Sequence, residues 1–173
     1  MAGVLRRGGL IGHYTSTLPG VACSPKFSAG IKRMQRFKKR RGPFLLLADS
    51  IQTAAGYIRW YPSGLRKLIK TVWPGQTTLV IPARPSLPPN CYQKGMLAIR
   101  VDADESCRGL ARACGGLLLS SSLNRRGGIV RKPCYAVQMC WHHFLSGRAS
   151  LGMSQGNASA IYRVDHRGSH KLR

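Results

Sequence analysis

Two clusters in this sequence hold side chains of the types that do chemistry. Residues 37–42 read FKKRRG and place four consecutive cations, Lys38 to Arg41, directly before the apolar run PFLLLA. Arginine offers a planar fork to a phosphate or carboxylate, and lysine a compact charge, so Lys38 and Arg40 could grip an anion. A solvated basic face leading into a buried strand fits the same residues, and the residues alone favour it. The second cluster, CYAVQMCWHH, holds Cys134, Cys140, His142 and His143. Its C-x5-C-x-H-H spacing matches no zinc-finger pattern, so buried thiols and surface histidines are the expectation and no metal site is assigned. Gly-rich stretches occur at GGLLLS and NRRGG, but the chain has no G-x-x-x-x-G-K-[ST] phosphate loop.

Composition bounds the partner. The chain has 173 residues, with 28 Lys and Arg against 5 Asp and Glu, a formal net charge of +23. So much like charge opposes compaction by self-repulsion, and an anionic partner offsets it. Nucleic acid, nucleotide phosphates and an anionic membrane surface are the usual candidates. The cations run from Arg6 to Arg173, which favours a folded basic face over a charged tail. The length suits one domain, residues 1–173. No apolar segment approaches the roughly 20 residues needed to cross a bilayer. The N-terminus lacks the apolar core of a signal peptide, which points to the cytoplasm and to reduced cysteines.

The elements that must position these residues follow from periodicity. Residues 28–39 carry Ile31, Met34 and Phe37 at helical spacing, with a basic outer face and Ser28 as a cap. PFLLLAD is a buried strand. Residues 51–72 are helical, broken at YPSG, 61–64. TTLVIPA (77–83) and MLAIRVD (96–102) are strands around a Pro-rich loop, 84–95. ADESCRGLARACGG is a helix with Asp104 and Glu105 in its first turn and Gly115 and Gly116 at its end. LLLSSS (117–122) is a buried strand running into a polar turn, and SAIYRV is a late one. Strands alternating with helices place the chain in the α/β class. The stretch 146–160 has loop composition and is expected to be the most mobile part.

Four segments in order carry a resemblance. They are GGLIGHYTSTLPGVACSP (8–25), FKKR (37–40), WPGQTTLVIPA (73–83) with LAIRVD (97–102), and LLSSSLNRRGG (118–128). Together they resemble the YrdC-like family, whose bacterial members are L-threonylcarbamoyladenylate synthases of the TsaC type. The resemblance implies a YrdC/RibB-like fold: a twisted, mostly parallel sheet with flanking helices around a basic concave cavity. It implies nucleotidyl transfer from ATP with Mg²⁺, with L-threonine and bicarbonate as the other substrates and pyrophosphate as a product. Other proteins would then pass the threonylcarbamoyl group to tRNA.

The same resemblance implies site residues. Lys38 and Arg40 stand at the family's K-x-R and would meet phosphate, as the catalytic cations. Thr15 would sit in the substrate loop, and Arg100 would emerge at a cavity wall, with an edge-strand arginine as the alternative. Ser120, Ser122 and Asn124 would bind ATP or the adenylate. Ser159 and Arg163 would contact nucleotide near the C-terminus. The chain departs from the motif at HYTST, where the family reads YPTET. His13 replaces tyrosine, Tyr14 replaces proline, and Ser16 replaces the acid. Cys23 and Trp73 are expected to be packing residues. A non-catalytic double-stranded RNA or tRNA binder on the same fold fits the charge equally well. The two differ in that an enzyme needs the named residues to converge, whereas a binder needs only a broad basic face.

Overall fold

The computed structural model describes residues 1–123, 147–148 and 157–173. In chain order its elements are α1 (Ala2–Arg6), β1 (Ile11–His13), β2 (Gly20–Cys23), α2 (Ser28–Lys38), β3 (Leu45–Ala48), α3 (Ile51–Gly56), α4 (Leu65–Val72) and β4 (Thr77–Pro82). There follow β5 (Tyr92–Gln93), β6 (Met96–Val101), α5 (Glu105–Ala113), β7 (Leu117–Ser122), β8 (Gly147–Arg148), β9 (Ala160–Asp165) and β10 (Gly168–Lys171).

The local chemistry explains most boundaries. Asp104 accepts a hydrogen bond from the Cys107 amide at 2.8 Å and starts α5. Gly115 and Gly116 end it at φ of 79° and 100°, conformations a side chain would strain. Ser50 caps α3 by accepting from the Thr53 amide at 3.0 Å. At α2 the expected cap is corrected: Phe27, not Ser28, is the capping residue, and no side chain bonds the helix start. Lys39 follows α2 in the left-handed conformation, φ 50°, and turns the chain out of the helix. The Pro-rich loop contains a short 3-10 turn at Pro89–Cys91 and the two-residue β5. A closing hairpin, β9–β10, was not expected from the pattern; its turn is held by the Arg167 amide on Asp165 Oδ1 at 3.0 Å.

The strands form one sheet in the order β10-β9-β4-β6-β3-β7-β2-β1-β8, with β5 added beside β6. Parallel ladders join β3 to β6, β4 to β9 and β1 to β8. The other neighbours are antiparallel. The sheet is therefore more mixed than the strand–helix alternation implies, because hairpins such as β1–β2 and β9–β10 reverse the chain locally. Helices flank both faces. On one, α2, α3 and α4 cover Val21, Cys23, Leu46, Leu79, Ile99, Leu117 and Leu119. On the other, α1 and α5 cover Ile11, Ala22, Leu47 and Leu118 through Leu5, Cys107 and Ala111.

Candidate active site

Alternation decides where the polar side chains go. Successive residues of a strand point to opposite faces. Leu118 packs with α1 and α5, so Ser120 and Ser122 continue that face beyond the apolar patch. Ile99 and Val101 pack on the opposite side, which places Arg100 on the same face as Ser120. Thr78, His13 and Arg163 fall on it by the same reasoning. One face of the sheet thus changes from apolar under α1 and α5 to polar beyond them.

A loop between β1 and β2, residues 14–19, lies against this polar region. Thr15 is buried, and its hydroxyl donates to the Leu18 carbonyl at 2.8 Å. Its oxygen also accepts from the Thr17 amide at 3.1 Å and lies 3.0 Å from the Thr17 hydroxyl. The loop is tied to the sheet by three further bonds. Arg100 Nη1 donates to Thr17 Oγ1 at 2.9 Å. The Ser16 amide donates to Asp102 Oδ1 at 2.9 Å. Gln76 Nε2 donates to the Ser16 carbonyl at 2.8 Å. Gln76 belongs to WPGQ, where the Gly75 amide bonds the Val101 carbonyl at 2.9 Å and buried Trp73 donates to the Thr77 carbonyl at 2.8 Å. That motif is a packed corner, as expected, and it also clamps the loop.

Arg100 lies on an interior strand between β4 and β3, and is 2% exposed. It therefore sits under the loop as a buried group, neither at an open wall nor on an edge strand. Its Nη2 lies 2.7 Å from Asp102 Oδ2, and Asp102 is 0% exposed. Burial lowers the Arg100 pKa, and the Asp102 charge opposes that shift. Among the described residues, Arg100 Nε and Ser16 Oγ have no hydrogen-bond partner, and Asp102 Oδ2 has its ion pair with Arg100 alone.

His13 makes the second polar contact on this face. Its Nε2 is 2.8 Å from Ser120 Oγ and its Nδ1 is 3.1 Å from the Tyr14 carbonyl. Burial holds its pKa down to about 4, against a smaller lift from the Tyr14 carbonyl. The ring is thus neutral at pH 7. A carbonyl only accepts, so Nδ1 carries the proton and Nε2 accepts from the Ser120 hydroxyl. Gly20 makes room for this contact: a Cβ there would lie 2.8 Å from His13 Nε2 and 3.3 Å from Ser120 Oγ.

Lys38 and Arg40 arrive at the end of β7 from α2. Lys38 Nζ donates to the Ser122 carbonyl at 2.7 Å. Arg40 Nη2 donates to Ser121 Oγ at 3.4 Å and Nη1 to the Pro43 carbonyl at 3.0 Å, while its guanidinium stacks over Phe44 at 4.7 Å. Burial and then the Arg40 charge push the Lys38 pKa down to about 8. The cations and the serine segment, more than 80 residues apart in sequence, are therefore neighbours. Ser121 is on the α2 side of the sheet, so Arg40 meets β7 from the face opposite Ser120.

Ser159 is buried and accepts from Thr78 Oγ1 at 3.2 Å and from Arg173 Nη2 at 3.4 Å. Arg163 is exposed on β9, 3.5 Å from Asp165, toward the sheet edge and away from the loop. Asn124 and the cluster Cys134, Cys140, His142 and His143 lie outside the described residues, as does most of 146–160. Cys23 is packed in the core, and burial raises its pKa. Among the described residues no group of three or more His, Cys, Asp or Glu could hold a metal ion. None of the described helices is long and apolar enough to cross a membrane.

Sequence reasoning missed Asp102, Thr17 and Gln76, and named His13 only as a departure from a motif. Asp102 carried a signal: in IRVD the acid stands two residues after Arg100, hence on the same face of an extended chain. Thr17 carried one as well, a hydroxyl two residues from Thr15 within HYTST, whereas Gln76 carried none, since only the fold brings it to the loop.

Comparison with known proteins places the chain in a family. The family model Sua5/YciO/YrdC, described as telomere recombination, matches residues 3–169. A threonylcarbamoyl-AMP synthase of Nitrosococcus oceani is 34% identical over 132 residues, covering 73% of this chain and 70% of that protein. One from Thiobacillus denitrificans is 32% identical over 143 residues, covering 81% and 74%. In structure, P. abyssi Sua5 complexed with L-threonine matches at TM-score 0.86 and 22% identity, over 99% of this chain and 52% of that one. E. coli YciO matches at TM-score 0.87 and 17% identity, over 99% and 85%. These two likenesses establish the fold, and with the sequence matches they lead to one conclusion: the chain belongs to the Sua5/YciO/YrdC family.

Proposed function

We propose that this protein is a threonylcarbamoyl-AMP synthase, a nucleotidyltransferase that takes ATP, L-threonine and bicarbonate to threonylcarbamoyl-AMP and pyrophosphate. The threonine amine adds to the bicarbonate carbon with loss of water and gives a carbamate. A carbamate oxygen attacks the α-phosphorus of ATP, and pyrophosphate leaves. Such a reaction needs no side-chain nucleophile; positioning and neutralisation of phosphate charge supply the rate.

The observation that carries this reading is the convergence of Lys38 and Arg40 with the serine end of β7. Two cations at a strand end rich in hydroxyls suit a triphosphate. Ser120 and Ser122, with Asn124 beyond them, would line the nucleotide. Ser120 commits its proton to His13 and so presents lone pairs, which suits a ribose hydroxyl or an ammonium better than a phosphate oxygen. Thr15 would hold the shape of the threonine loop, with Arg100 beneath it, while Ser159 and Arg163 lie further along the same face. Mg²⁺ would enter with ATP, held by phosphate oxygens and water, since the described side chains offer no ligand cluster. We read residues 1–173 as one YrdC-like domain acting in the cytoplasm, with other proteins completing transfer to tRNA.

Contact with RNA is a second reading that one observation favours. Trp60 and Tyr61 are exposed side by side, and Arg66 lies 5.0 Å over the Tyr61 ring. Arg59, Lys67 and Lys70 are exposed nearby, and no Asp or Glu occurs from residue 50 to 101. Cations interleaved with aromatic rings suit stacked bases and phosphates.

Incubation with ATP, labelled threonine and bicarbonate tests the enzyme. Pyrophosphate and labelled adenylate are expected, and Lys38→Ala and Arg40→Ala are each expected to abolish turnover with a nearly unchanged melt. Turnover persisting in both variants would remove them from the site. RNA binding with a steep salt slope and no pyrophosphate would leave the binder as the function.

A further inference from the structure

Asp102 is a charge buried beneath a loop, and the proposed reaction gives it no role. Its two oxygens serve three groups. Oδ1 accepts from the Ser16 amide at 2.9 Å and from the Asp104 amide at 2.9 Å. Oδ2 faces Arg100 Nη2 at 2.7 Å. Arg100 in turn holds Thr17 Oγ1, and Thr17 bonds Thr15. One carboxylate thus joins the centre of the loop, the start of α5 and a buried guanidinium.

We propose that Asp102 is the positioning residue of the loop formed by residues 14–19, setting the conformation in which that loop receives the amino-acid substrate. The alternatives are weaker. A surface carboxylate serves a loop only loosely, because water competes for both partners, but this one is fully buried. An ion pair placed only to neutralise Arg100 would not need its second oxygen on the Ser16 amide. Among the described residues, two buried polar atoms of this network, Ser16 Oγ and Arg100 Nε, have no hydrogen-bond partner. They are what a site poised to accept a further polar group would retain. Asp102 touches no reacting atom in this scheme and acts through Ser16 and Arg100.

The substrate part rests on the synthase reading, so the test has one readout that needs no substrate. Amide hydrogen exchange is measured by NMR in the full chain, together with binding of L-threonine and of ATP by calorimetry. In Asp102→Ala, exchange at the Ser16 amide is expected to rise at least tenfold while amides of β3 and β6 keep their protection. The dissociation constant for threonine is expected to rise at least tenfold, and that for ATP less than threefold. Asp102→Asn, which keeps an acceptor oxygen for the two amides, is expected to fall between. Thr17→Val, nearly isosteric, severs the Arg100 arm without leaving an unpaired buried charge and decides the matter if Asp102→Ala does not fold; its threonine affinity should fall while its ATP affinity holds. Unchanged exchange at Ser16, or equal weakening of both ligands, overturns the proposal. A wild-type chain that binds no threonine overturns the synthase reading, and the exchange data still decide whether Asp102 holds the loop.

Discussion

Acid should unfold this protein through His13, and the size of the effect follows from its surroundings. The ring is 2% exposed, donates to the Tyr14 carbonyl and accepts from Ser120. Protonation would place a second donor against the Ser120 hydroxyl and a charge in a dry site, where the cost of burial outweighs the attraction of the Tyr14 carbonyl and Asp102. The folded ring therefore keeps its neutral form until about pH 4, against 6.5 for an ordinary histidine. The unfolded chain binds its proton first as pH falls, so stability is intact above about pH 6.5 and declines from there toward pH 4. With about 1.4 kcal/mol for each tenfold difference in proton affinity, the loss attributable to His13 is about 2 kcal/mol at pH 5 and about 3 kcal/mol at pH 4. For a chain of this length, 2 kcal/mol lowers the melting temperature by about 4–8 °C. The assay compares melts of wild type and His13→Gln from pH 7.5 to 4.5. The variant has its own stability at neutral pH, and only the pH dependence is compared. Wild type should fall more steeply by the stated amount. Parallel curves would refute the reasoning, because they would mean that His13 gains its proton in the folded state as readily as in the unfolded one.

Two further predictions follow from packing. Gly20→Ala drives a methyl group to within 2.8 Å of His13 Nε2 and 3.1 Å of the Ser121 carbonyl; it should cost about 1–3 kcal/mol in chemical denaturation, and Ser120→Ala in the same chain should recover part of the loss. Trp73→Ala removes a buried indole and its bond to the Thr77 carbonyl; a loss of about 3–5 kcal/mol is expected, with weakened loop protection at Ser16, because Gln76 rides on the same corner.

Much of the architecture was legible because local chemistry and tertiary need agree there. The α5 boundaries follow from Asp104 and two glycines, and the β3, β4, β6 and β7 runs are too apolar to lie anywhere but in the sheet. Ser28 misled because a hydroxyl at the right place is not yet a cap: the chain before it must also take the capping conformation, and Phe27 does so instead. The hairpin β9–β10 was hidden because GSHK carries no apolar alternation; it is held by backbone pairing with β9 at an exposed edge.

By itself the sequence determined the periodicities, the strong positive charge and the ordered motifs that mark the family, since these are properties of residue type and spacing. Tertiary structure alone decided the partnerships across long separations. That Lys38 meets Ser122, that Ser120 gives its proton to His13, and that Asp102 holds Ser16 depend on sheet order and register. A shift of one residue in pairing would turn every one of those side chains to the other face. Burial then decided their chemistry, because a histidine or an arginine changes its proton affinity according to the water it loses, and the fold, not the residue name, sets how much water that is.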